Sequence, residues 1–151
     1  MISPLSSPTL FLWAAGANTG DPTIDATTTG DKANILVPFK CEVIRAFVLL
    51  NAAPGDAGVV KFDKRPTYAS DTGRGDGDVG VINLLTTHTA GKFIYKEIPV
   101  AGTGHVILVE GDEVIVEVTD ASAAVTEARA GLLVREVPEV PGNNSDMVAT
   151  T

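Results

Sequence analysis

The sequence predicts an all-β domain, an antiparallel β-sandwich or jelly roll with extended N- and C-terminal arms. Its apolar runs are short, and several alternate with polar residues at period two. Clusters of Gly, Pro, Asp, Asn and Thr separate those runs, and no segment gathers its apolar residues on one helical face. At 151 residues the chain makes one domain, long enough to bury about two-thirds of its unfolded surface. Hydrophobic residues form 44% of it but aromatic ones only 5%, so the core must be built from Val, Ile, Leu and Ala.

Taken in order, "TLFLWAA" is the expected first strand, followed by "KANILVPF" and "CEVIRAFVLLN", whose dense apolar content suits the middle of a sandwich. "VVKFD" sets Val60 and Phe62 against Lys61 and Asp63. "GKFIYKEIPV" and "GHVILVE" follow. "VIVEV" is the clearest case, with Val114, Val116 and Val118 alternating with Glu113, Ile115 and Glu117. "AGLLVREV" closes the set. Gly111-Asp112 between two β-rich runs predicts a hairpin from Val106 to Val118. "NAAPGDAG" has Pro-Gly and Asp-Ala-Gly turn chemistry. The one helix candidate, "DASAAVTEARA", lies between two strands and reads as a loop.

The domain is expected over residues 9–137, with an arm at 1–8 and a tail at 138–151. "PEVPGNNSDMVATT" has too few apolar residues to bury much surface of its own and is expected to extend from the domain. The N-terminal apolar run, Leu10 to Ala15, is too short and wrongly flanked for an export signal or a membrane span, so no membrane partner is expected. Eleven basic residues against nineteen acidic ones give a charge of −8 without a basic cluster, which argues against nucleic acid.

The stretch "SDTGRGDGDVG" invites three chemical readings. Asp71-Thr72-Gly73 matches an aspartic-protease triplet but lacks the apolar strand that buries and orients the carboxylates. Arg74-Gly75-Asp76 matches an integrin-binding tripeptide, and a solvated turn explains it as well. Asp71, Asp76 and Asp78 are calcium candidates, although their spacing is not that of an EF-hand and residue 82 is Ile. Gly80-Val81-Ile82 starts like the uracil-binding motif of trimeric dUTPases, but Asn83 replaces its acidic residue and no Tyr follows. His88 and His105 lack the spacing of a local metal site, and Cys41 opens an apolar run as a small buried hydrophobe. No catalytic residue emerges and no cofactor is implied, calcium being the single ion left open.

"FDKR", "SDTGRGDGDVGVINL", "AGKFIYKEI", "EGDEVIVEVTDASAA" and "PEVPGNNSDMVATT" together resemble a group of small tailed-phage virion proteins. These are encoded near the major capsid protein and described as head decoration or cement proteins. The resemblance spans roughly residues 36 to 151. It implies a non-enzymatic subunit, made in the host cytoplasm and placed on the capsid surface, whose partners are the major capsid protein and itself, as a trimer or dimer. Charge of −8 suits solubility before assembly. The interface candidates are Leu5, Phe11 and Trp13 near the N-terminus and Arg74 in the Gly/Asp stretch. In the tail they are Pro138, Val140, Pro141, Asn143, Asn144, Met147 and Val148. The competing expectation is a virion-displayed module that binds host-surface glycan or protein. Trp13, Tyr68 and Tyr95 are its only evident sugar-stacking residues.

Overall fold

The computed structural model describes residues 8–16, 20–65 and 77–138. These residues form nine β-strands and no helix. The strands are β1 (Thr9–Trp13), β2 (Gly30–Leu36), β3 (Cys41–Leu49), β4 (Gly58–Arg65), β5 (Gly77–Leu84), β6 (Phe93–Glu97), β7 (Ile107–Leu108), β8 (Glu113–Asp120) and β9 (Arg129–Glu136). Sheet A has the order β1-β9-β3-β6, with β7 on the start of β3, and sheet B has the order β2-β8-β4-β5. All pairings are antiparallel. With the two-residue β7 set aside, first pairs with last, second with next to last, third with sixth and fourth with fifth. That nested order is the jelly-roll form of the β-sandwich.

Period two fixes the inner faces. Val43, Ala46, Val48, Ala130, Leu132 and Val134 of sheet A meet Ile35, Val60, Phe62, Val114, Val116 and Val118 of sheet B, and every one of them is buried. Each full burial of such an aliphatic side chain stabilises by about 1.5–3 kcal/mol before conformational entropy offsets it. Phe62 is the one ring fully enclosed between the sheets among the described residues, so the core is aliphatic, as the composition requires. The sandwich is tied along both sides. Ala15 and Asn34 exchange backbone hydrogen bonds of 3.0 and 2.9 Å between the ends of β1 and β2. On the other side β5 reaches β6, where a Cβ at Gly80 would stand 3.2 Å from Ile98.

Two expectations are corrected. The run Val106 to Val118 is not a hairpin, because β7 pairs with β3 in sheet A whereas β8 pairs with β2 and β4 in sheet B. The Gly111-Asp112 turn carries the chain from one sheet to the other. Gly111, at φ 89°, donates to the Val37 carbonyl, and Val37 donates to that of Asp112. The buried Asp112 carboxylate accepts the Val109 N–H at 2.9 Å, which fixes the crossing. The expected strands also omit Gly77–Leu84, yet the end of the Gly/Asp stretch, Gly77–Gly80, already lies in β5 against β4. "DASAAVTEARA" has no helix because its backbone serves neighbouring loops. Ser122 N–H donates to Ala26, Gly55 N–H to Ala123, and Ala26 N–H to Val125.

Cys41 is completely buried, and burial, with the Asp112 charge beside it, pushes its thiol up to about 12. The thiolate fraction at pH 8 is then lower than that of a free cysteine by roughly three orders of magnitude. Native protein should resist thiol reagents at pH 8 and take up one equivalent on denaturation, read by mass spectrometry. Stoichiometric labelling of the folded chain within minutes would contradict the burial.

Candidate functional site

The outward face of sheet A differs from every other surface of the domain. Directly opposed residues of antiparallel strands share a face, so the registers place Trp13, Gly131, Phe47 and Tyr95 in one row. The next row is Phe11, Leu133, Arg45 and Glu97, and on the other side lie Arg129, Leu49 and Phe93. Five of the chain's eight aromatic residues therefore stand together outside the core. Phe11, Trp13, Phe93 and Tyr95 are 55, 44, 50 and 53% exposed, while Phe47 at their centre is only 3% exposed.

Local sequence produces this arrangement. "TLFLW" sends Leu10 and Leu12 toward sheet B and Phe11 and Trp13 outward, and "FIY" does the same with Ile94 against Phe93 and Tyr95. In β3 a bulge between Val43 and Arg45 resets the alternation, which turns Ala46 and Val48 inward and Arg45 and Phe47 outward. Opposite Phe47 stands Gly131, whose missing side chain leaves β9 bare. A Cβ there would lie 2.7 Å from Phe47 Cζ and 2.6 Å from the Leu12 carbonyl oxygen. Phe47 fills that space and meets the other rings edge-on, at centroid distances of 5.4 Å to Phe11, 5.1 Å to Trp13 and 5.5 Å to Phe93. Edge-to-face pairs of this kind are worth about 0.5–1.5 kcal/mol each beyond their burial.

A shallow hollow of about 250 Å³ opens between Phe11, Phe47, Phe93, Tyr95, Leu133 and Arg45. The Arg45 guanidinium lies 4.7 Å from the Tyr95 ring centre and pairs with Glu97 at 2.6 Å. Beyond Phe11 the face ends in a charged row, where Glu42 bridges Arg135 and His105, the latter at 3.1 Å. Burial pushes the Glu42 carboxyl up, but the hydrogen bonds and charges of Arg135 and His105 outweigh it and hold the group below its ordinary value. The outer face of sheet B is mostly polar by contrast, with Leu36 and Val81 its exposed apolar residues. Lys61 and Asp78 pair at 2.9 Å, and Asn34 Nδ2 donates to Glu113 at 2.8 Å.

Of the interface candidates, the structure brings Phe11 and Trp13 together on the aromatic face and leaves Pro138 exposed just beyond β9. Leu5, Arg74, Val140, Pro141, Asn143, Asn144, Met147 and Val148 lie outside the described residues. Of the calcium candidates, Asp78 sits in β5 beside Lys61, while Asp71 and Asp76 lie outside the described residues. Among the described residues no three His, Cys, Asp or Glu side chains gather as a metal site. Of the sugar-stacking residues, Trp13 and Tyr95 share the face and Tyr68 is outside the described residues. Sequence reasoning missed Arg45, Phe47 and Phe93. The available signal was the repeated i, i+2 spacing of Phe11/Trp13, Arg45/Phe47 and Phe93/Tyr95, each flanking an inward aliphatic residue.

Comparison of the chain with protein-family models, curated proteins and solved structures finds no match.

Gly131→Ala should force either Phe47 or the Leu12 backbone to move, and overpacking of this kind costs about 1–3 kcal/mol. Chemical denaturation should show that loss, with altered near-ultraviolet circular dichroism from Trp13 and its neighbours. An alanine variant of unchanged stability and spectrum would show that Phe47 does not rest on Gly131.

Proposed function

We propose that this chain is a non-enzymatic structural subunit of a tailed-phage head, a decoration protein that binds the assembled shell of major capsid protein and stabilises it. The observation that supports it best is the aromatic face of sheet A. Trp, Tyr, Phe and Arg are the residues that dominate protein contact surfaces, and here they stand on strands whose positions the core fixes. A subunit of a symmetric assembly benefits from such rigidity, because little ordering cost offsets each contact with a neighbouring protein. The mostly polar outer face of sheet B and the charge of −8 keep the free subunit soluble. The phage setting itself rests on the sequence resemblance over residues 36 to 151.

A second reading, a virion-displayed module for host glycan or protein, draws on Tyr95 at the hollow and Trp13 on the same face. Sugar recognition also needs several hydrogen-bonding groups beside the stacking ring. At this hollow Arg45 and Glu97 are already paired with each other, which favours the protein contact.

Heads assembled without this chain should release DNA at a lower temperature than complete heads, and added purified protein should sediment with them and restore the difference. Purified protein that neither sediments with such heads nor changes their heat release would refute the assignment.

A further inference from the structure

Resting on the reading of the aromatic face as a protein contact surface, we propose that its occupant is the same face of a second copy, so that the subunit is a two-fold dimer stacked through sheet A. A two-fold interface must be self-complementary, with projections and hollows on one patch. This face has both: Trp13, Phe93 and Tyr95 project, and the hollow of about 250 Å³ among Phe11, Phe47 and Leu133 has room for a ring. Two such faces stack as sheets do in any sandwich, about 10 Å apart and near-aligned.

Charge selects the same partner. The chain carries −8, so contact between copies is repulsive over most of the surface. On this face three arginines, Arg45, Arg129 and Arg135, stand against two glutamates, Glu42 and Glu97. Its local balance is thus +1 against −8 for the chain, so like copies repel less here than their total charge implies. Arg45 and Glu97 are neighbours, so a two-fold axis near them brings each arginine toward the partner copy's glutamate.

Four strands and three residue rows at sheet spacings cover roughly 400 Å². A stable interface buries about 800 Å² per partner, so the dimer must also bury the charged row of Glu42 and Arg135 beyond Phe11 and the rim around it. A dimer leaves the surfaces outside this face open to the shell and carries them twice, and linked attachment strengthens holding without any new contact.

Sedimentation velocity on the full chain from about 1 to 100 μM tests this, since interfaces of standard size associate at micromolar concentrations or below. The wild type should sediment as a dimer. Phe93→Glu, at an exposed position on edge strand β6, should weaken dimerisation about 30-fold or more, as loss of an aromatic anchor does, while far-ultraviolet circular dichroism still shows a folded β-sandwich. Leu36→Glu, at a 70% exposed position on sheet B, should remain dimeric. A wild type that stays monomeric at 100 μM, or a dimer that Phe93→Glu leaves intact, overturns the proposal. Head binding measured in parallel separates the two readings. A monomeric wild type whose head binding is abolished by Phe93→Glu gives the face to the shell and overturns the dimer alone. A wild-type dimer that dissociates with Phe93→Glu but never binds heads supports the dimer and overturns the decoration reading.

Discussion

Phe47 lying across the bare backbone of Gly131 is the contact on which the outer face of sheet A depends. Strand β1 is a five-residue edge strand with β9 as its ladder partner. Without a side chain at Gly131, the rings of Phe11 and Trp13 reach over β9 to Phe47 on β3, and Phe93 closes on Phe47 from β6. One buried ring thereby ties four strands together on the side away from the core. The consequence for function is positional: the exposed rings stand at fixed places on strands whose inner faces are locked in the sandwich.

The domain divides its chemistry among three layers. Between the sheets lie aliphatic side chains, with Phe62 the one ring enclosed there among the described residues. Outside sheet B lie mostly paired charges and amides, which favour water, with Leu36 and Val81 among them. Outside sheet A lie most of the chain's aromatic residues, edged by Arg45–Glu97 and the Glu42–Arg135 pair. A chain so poor in aromatic residues that sets five of eight on one outward face does not use them to build its core. The proposed contact with another protein accounts for that placement, because such a surface is stable in water only at the cost of exposed apolar area.

Strand positions were largely legible in the sequence because period-two burial is local. "VIVEV" and "VVKFD" show in their own letters which residues turn inward, and Val114, Val116, Val60 and Phe62 do. Strand β5 was obscured because its start, Gly77-Asp78, continues a Gly/Asp run and has no apolar letter before Val79. The Gly111-Asp112 turn predicts a hairpin because turn chemistry specifies a reversal, whereas the sheet that the chain then joins depends on distant partners, Val37 among them. The aromatic face was the least legible part. In "TLFLW" and "FIY" both faces are apolar, so alternation alone cannot say which points to the core. Residues 11, 13, 47, 93 and 95 become neighbours only through the pairing of β1, β9, β3 and β6.

Trp13 is the only tryptophan in the chain and stands 44% exposed at the edge of this face, so its fluorescence reports directly on whether the face is covered. Emission and iodide quenching of the wild-type protein, followed from high dilution to high concentration, test the central claim. The account predicts red-shifted, readily quenched emission in dilute protein and a blue-shifted, protected signal as copies associate. Emission and quenching that stay the same at every concentration, while sedimentation shows association, would place the contact elsewhere and contradict it.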